Sequence, residues 1–286
     1  MKTVWLNALA YPVPQAWHEC TSRQIVTLLP LTLLPVDLLE LKERADLKAR
    51  ALTVLMPIPP KIHRQLSSEQ RYRLGQLTRW LWQTPLQHKP LDWFEIDGVR
   101  YNLPEPNYSN TSAIEIAMAN IHYLAYTRPE QPNTLAVYTL IATLCRPIRK
   151  DAETFRQSAD WTGDLREEFN SVLADERARK FQKLTIGQVM AVLKYFEWMN
   201  NRFFENYQDV YDEDASEEPP LYKNGEGILT SLMDIAKLGV FGNFDQVCKQ
   251  NVHTVWLFLR DNNLKIKRET ERMEKEMEKY RDSIGG

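Results

Sequence analysis

The stretch TIGQVMAVLKYFEWMN (residues 185–200) decides the fold class. Thr185 is followed three residues later by Gln188, the capping-box spacing that satisfies free backbone N–H groups at a helix start. Val189, Val192–Leu193, Phe196 and Met199–Asn200 then recur at three- and four-residue steps, which places them on one face of an α-helix. The same period continues on both sides. From Ser112, residues Ile114, Met118, Ile121 and Leu124–Ala125 form one stripe; Leu135, Tyr138, Leu140–Ile141 and Leu144 form the next, closed near Pro147. Asp164 to Phe181 reads as an uneven charged helix or two short ones. Ile228 to Leu238 reads as a short helix ended by Gly239, which tolerates the left-handed conformation of a C-cap. Asp245 then opens a long final helix.

Toward the N-terminus, Thr21 or Ser22 can cap a helix through Leu29. Leu38, Leu41, Ala45, Leu52 and Leu55 mark a second helix, broken at Pro57–Pro60. Ser67 or Ser68 caps a third with Tyr72, Leu74, Leu77 and Leu81. Strand signals are few. Trp93–Ile96 and Val99–Asn102 flank Asp97-Gly98, the dipeptide of a type I′ hairpin turn. A two-residue loop pairs Ile96 with Val99, Glu95 with Arg100 and Phe94 with Tyr101. A lone hairpin is marginal, and the alternating segment Thr3–Asn7, stopped by Pro12 and Pro14, is the natural third strand. The expected fold is mainly α, with a small N-terminal antiparallel sheet (strand 3–7 plus hairpin 93–103) and a long C-terminal helix. Four segments are expected: 1–108 with the sheet, 109–211 helical, an acidic loop over 212–227, and 228–286 with the final helix; they may equally be read as one continuous domain.

Of 286 residues, 43% are hydrophobic and the net charge is −2, which is globular rather than disordered. A pI near 6.3 argues against a nucleic-acid partner held by overall basicity. Charge is uneven: residues 1–150 carry 17 Lys+Arg against 12 Asp+Glu, a balance of +5, and the remainder 19 against 26, a balance of −7. Cys20, Cys145 and Cys248 have no metal-ligand spacing and fit a reducing compartment. Met1–Leu9 lacks a signal-peptide core. The most apolar stretch, Ile25–Val36, is too short and too proline-broken to span a membrane and is expected in the core.

No local motif carries chemistry. His18, His63, His88, His122 and His253 never fall in an HExxH-type spacing. Gly225-Glu226-Gly227 lacks the lysine and hydroxyl of a phosphate loop. The acidic run Asp209 to Glu218 lacks EF-hand ligand spacing. Arg71, Arg73 and Arg79 beside Trp80 and Trp82 resemble a base-stacking patch, but the two tryptophans are two residues apart and diverge on a helix. No catalytic residue, cofactor or metal is expected. In the final helix, Ile266, Met273 and Tyr280 recur every seven residues, Met277 and Ile284 lie four later, and Thr270 fills the remaining position. That is a heptad seam, within a segment 265–282 that holds seven Lys/Arg and six Asp/Glu. The spacing permits self-association through this helix.

Four phrases resemble proteins of one group. Pro14-Gln15-Ala16-Trp17-His18-Glu19-Cys20-Thr21-Ser22-Arg23-Gln24 resembles the P-x-x-W-x-E-x-T-x-x-Q opening of phage tail assembly chaperones and related tail-region proteins. Ala142-Thr143-Leu144-Cys145-Arg146-Pro147 is similar to an A-x-L-x-R-P phrase in proteins of Bacteroidetes-type phages and prophages. Gly163-Asp164-Leu165-Arg166-Glu167-Glu168-Phe169 resembles a G-D-x-R-x-x-F stretch of the same proteins. Gly239-Val240-Phe241-Gly242 before a long helix also resembles them. Typical tail chaperones are shorter, and the Asp97-Gly98 hairpin lies outside the shared pattern.

The resemblance implies a non-enzymatic protein that handles the tape-measure protein or another tail component, in the cytoplasm of a bacterial host cell or in the virion. The alternative is a structural virion component or adaptor; a nucleic-acid-binding protein or an enzyme stands behind both. The expected partners are tail or other virion structural proteins. The contact residues expected from their motif-like positions are Trp17, Phe241, Phe244, Met273 and Met277.

Overall fold

The computed structural model describes residues 1–211 and 225–285. All but the last three positions of the acidic loop expected over 212–227 therefore lie outside the described residues. The chain is mainly helical. It runs through β1 (Lys2–Leu6), β2 (Leu9–Val13), α1 (Ser22–Leu28), α2 (Leu41–Leu55), α3 (Pro60–Gln65), α4 (Ser68–Gln76), β3 (Trp93–Ile96) and β4 (Val99–Asn102). It continues with α5 (Ala113–Thr127), α6 (Ala136–Leu144), α7 (Ala152–Arg156), α8 (Ser171–Phe181), α9 (Ile186–Asn206), α10 (Gln208–Tyr211), α11 (Gly227–Leu238), α12 (Phe244–Lys249) and α13 (Val252–Gly285).

Helix starts follow local chemistry. Gln188 N donates to Thr185 Oγ1 at 3.3 Å, and Thr185 N donates to Gln188 Oε1 at 3.0 Å. The same reciprocal box opens α1 with Thr21 and Gln24, α4 with Ser67 and Gln70, and α12 with Asn243 and Gln246. Each such cap is worth about 1 kcal/mol. Gly239 takes φ +69° and ends α11 as expected.

Helix α9 is the axis of the core. Met190, Val192, Tyr195, Phe196, Met199 and Phe203 are buried along it, and α1 and α6 pack against it. The contact with α1 is close. A Cβ built on Gly187 would sit 1.8 Å from the backbone oxygen of Val26. The buried apolar residues form one contiguous cluster from Val13 to Trp256, so residues 1–108, 109–211 and 228–286 contribute to a single core.

The strands depart from expectation. The segment over residues 3–7 does not join the 93–103 hairpin. β1 pairs antiparallel with β2, Thr3 opposite Pro12 and Leu6 opposite Leu9, and Asn7 and Ala8 turn the chain with φ of 48° and 63°. In a two-stranded sheet both strands are edges, which is where a proline is tolerated, so Pro12 lies inside β2 rather than stopping a strand. The β3–β4 hairpin has the expected register. Its support comes from elsewhere: Phe94 and Tyr101 meet the edge of Phe181 in α8 at 5.3 and 4.7 Å. Asn102 and Arg146 exchange backbone hydrogen bonds of 2.8 and 3.2 Å.

Two other differences concern surfaces. In the apolar run from Ile25, residues Ile25, Leu28 and Leu29 are buried but Leu33 and Leu34 are exposed, and Leu38 and Leu41 just beyond are over 80% exposed. Short 3₁₀ turns at Leu29–Leu33 and Val36–Leu38 replace the expected start of the second helix, so the α period does not apply there. The final helix begins at Val252 rather than Asp245. Gln250 is extended, and its carbonyl accepts from Ala113 N at 2.9 Å while Val252 N donates to Thr111 O at 3.0 Å.

The close approach at Gly187 yields a test. Gly187→Ala should destabilise the chain by about 2–3 kcal/mol, the usual cost of overpacking a core, because a backbone atom must move. Gly239→Ala, with open space around it but a positive φ, should cost about 1 kcal/mol. Urea unfolding of both variants measures the two; equal losses would contradict the α1–α9 contact.

Candidate functional site

The surface with the clearest design lies on α13. Val252 and Trp256 are buried in the core, and Leu259 is half-buried against it. The root of the helix is fixed by α10, where Arg260 Nε meets Asp209 Oδ2 at 2.5 Å. From Leu264 to Arg281 every residue is exposed. At 1.5 Å per residue those 18 positions extend about 27 Å. The apolar stripe does not stop where the body ends: Ile266 is 53% exposed, Met273 63%, Met277 56% and Tyr280 63%. They continue the line of Val252, Trp256 and Leu259 at three- and four-residue steps. Intrahelical pairs Lys265–Asp261 at 2.5 Å and Arg272–Glu276 at 3.1 Å sit at i,i+4 spacing and support an otherwise solvated helix.

The five expected contact residues do not form one site. Met273 and Met277 lie on the exposed stripe. Phe241 is half-buried with its ring edge-on to Phe258 at 5.5 Å, and Phe244 is half-buried against the core at the start of α12. Trp17 is 3% exposed. Its Nε1 donates to Thr84 O at 2.7 Å and its ring stands edge-on to Trp80 at 5.2 Å. A partner cannot reach more than a sliver of it, at the wall of an open groove that residues 81–87 make with α9. Trp17 anchors the chain ahead of α1; it is not a docking residue. The same packing half-buries Trp80 and Trp82, and Arg73 pairs with Glu69 at 2.5 Å, which removes the base-stacking patch.

A second cluster was not foreseen. Glu115, Arg146, Asp164 and Arg166 are all at least nine-tenths buried. Glu115 stands three residues after Ser112, at the capping-box position of α5. Its Oε1 accepts from Ser112 N and Oγ at 3.2 and 2.8 Å. Its Oε2 meets Arg146 Nη2 at 2.8 Å and Arg166 Nη2 at 3.2 Å. Asp164 faces the same pair, with Oδ2 2.9 Å from Arg146 Nη2 and Oδ1 2.9 Å from Arg166 Nε. Arg166 also donates to Leu144 O at 2.5 Å, the last residue of α6, and to Asn110 O at 3.0 Å.

Two positive and two negative groups thus balance in a dry interior. Burial lowers the pKa of Arg146. For Arg166 burial acts the same way, but Glu115 and Asp164 outweigh it and the net direction is upward. Burial also pushes the adjacent Cys145 thiol up to about 12, so it stays protonated and inert. Every carboxylate oxygen already has a donor, so the arrangement fastens loops. The A-x-L-x-R-P and G-D-x-R-x-x-F phrases supply Arg146, Asp164 and Arg166, so phrases about 20 residues apart meet at one clasp. The legible signal was Ser112-x-x-Glu115 and charged residues inside apolar runs.

Among the described residues, no group of three or more His, Cys, Asp or Glu side chains is placed to hold a metal, and no helix is long and apolar enough to cross a membrane. Burial lowers the pKa of half-buried His122 below its ordinary 6.5, opposed by Asp175. Comparisons with protein-family models, curated proteins and solved structures find no match to this chain.

Glu115→Gln should cost about 3–5 kcal/mol, the usual loss when one member of a buried ionic cluster is removed; Ser112→Ala, which weakens only the cap, should cost about 1 kcal/mol. Chemical denaturation of the two separates a clasp from a cap. A depressed His122 pKa favours the neutral ring in the folded chain, so its contribution is complete above pH 6.5 and fades as the pH falls toward the lower folded value. Unfolding midpoints between pH 7.5 and 5 should therefore fall less steeply for His122→Gln than for the parent chain.

Proposed function

We propose that the chain is a non-enzymatic phage tail assembly protein that binds another tail component, such as the tape-measure protein, through α13. The carrying observation is the apolar stripe that leaves the core and continues into solvent over Ile266, Met273, Met277 and Tyr280. Amphipathic helices bind helical partners through such i, i+3, i+4, i+7 rows. Large apolar side chains held in water are otherwise unfavourable, at roughly 25 cal/mol per Å² of surface. The tape-measure assignment rests on the resemblance at residues 14–24, 142–147, 163–169 and 239–242. The expected place of action is the cytoplasm of a bacterial host cell.

Co-expression with the tape-measure protein encoded beside it tests the role. The expected result is a co-purifying complex or a gain in tape-measure solubility, reduced about tenfold or more by Met273→Glu with Met277→Glu. Those positions are exposed, so circular dichroism of the variant should be unchanged. No complex and no solubility gain would sink the chaperone reading. Mass spectrometry of purified particles separates it from the alternative, since a virion component is present at fixed stoichiometry and an assembly chaperone is absent.

A further inference from the structure

We infer that the α13 stripe seats a helix of a different protein whose flanks are basic, rather than a second copy of this chain. The inference rests on the interaction role proposed above and names the partner's chemistry. The stripe is continuous with an interface already filled inside the molecule, where Val252, Trp256 and Leu259 pack. Its outer part therefore has the register of a helix–helix seam. With Asn263, Thr270 and Met277 at the a positions, the d positions are Leu259, Ile266, Met273 and Tyr280. The flanking e positions are then Arg260, Lys267, Glu274 and Arg281, and the g positions are Asn262, Glu269 and Glu276.

These flanks oppose self-pairing. In a parallel pair each g residue faces the e residue five positions on in the other helix. Glu269 would face Glu274 twice by symmetry, which cancels the two Glu276–Arg281 attractions. The antiparallel register that stacks Ile266 on Met277 and Thr270 on Met273 sets Glu269 against Glu276 and Arg260 against Arg281. It offers only the Lys267–Glu274 pairs in return. Polar Asn263 and Thr270 at a positions weaken both arrangements. Across the central two heptads the flanks hold Glu269, Glu274 and Glu276 against Lys267 alone. A partner helix with Lys or Arg at its own flanks meets three carboxylates, and like-charge partners are rejected by the same groups.

The test uses the full chain and two synthetic 28-residue helical peptides with one Leu/Ile seam. One carries Lys at all e and g positions and the other carries Glu. Fluorescence anisotropy at low salt should show the Lys peptide binding about tenfold tighter or more, with the difference shrinking as salt screens the flanks. Glu269→Lys, Glu274→Lys and Glu276→Lys combined should reverse the preference, while leaving helicity by circular dichroism intact. Sedimentation equilibrium of the chain alone should give a monomer. Equal affinity for both peptides, binding of neither, or a dimer dissolved by Met273→Glu would each overturn the inference. A tape-measure complex insensitive to Met273→Glu would overturn this surface while the assembly role stands. Intact peptide preference without any tail-protein complex would overturn the role while the surface stands.

Discussion

The carboxylate of Glu115 holds together parts of the chain that have no other reason to meet. One oxygen closes the first turn of α5. The other lies between Arg146 and Arg166. Through Arg166 it reaches the C-terminal carbonyl of α6 and the backbone of Asn110. Arg146 in turn pairs its backbone with Asn102, the last residue of β4. A helix start, a helix end, a hairpin and an irregular loop are thus tied to one buried charge. Such a charge stabilises only when all its neighbours are in place, so the clasp favours one arrangement of these segments over looser ones.

Around that clasp the apolar core does the larger share of the work. α9 presents buried aromatic and aliphatic side chains over five turns, and Gly187 lets α1 come close enough for the N-terminal helices to share that core. The hairpin is stable because Phe181 covers its apolar face, and β1–β2 remains a separate ribbon.

How far these features could be read from the sequence depends on their range. Caps and periodic stripes are local, so the starts of α1, α4 and α9 and the end of α11 were legible from Thr21, Ser67, Thr185 and Gly239. The partner of β1 was not, because nothing in Thr3–Asn7 distinguishes a strand that pairs across a tight turn at Asn7-Ala8 from one that waits for residue 93. Leu38 and Leu41 were misread since a leucine at helical spacing looks the same whether the backbone is α or 3₁₀. The final helix was legible as a helix, but its break was set by backbone pairing of residues 250–252 with 111–113. The α13 stripe was visible as a heptad; that it emerges from the core as one line was not. Glu115 shows the same limit: its capping role is local, while its ionic partners lie 31 and 51 positions away.

The root of α13 has a mechanical meaning. Val252 N and the Asn251 side chain are bonded to Thr111 O and Ser109 O, and the His253 ring reaches Asn107 O at 2.6 Å. Those residues lead directly into Ser112 and the clasp. The helix therefore behaves as a lever whose fulcrum is the chain's most constrained polar joint. A load applied near Tyr280 arrives there with a moment arm of tens of ångströms, so whatever pulls on the tip pulls on the joint that keeps the body assembled.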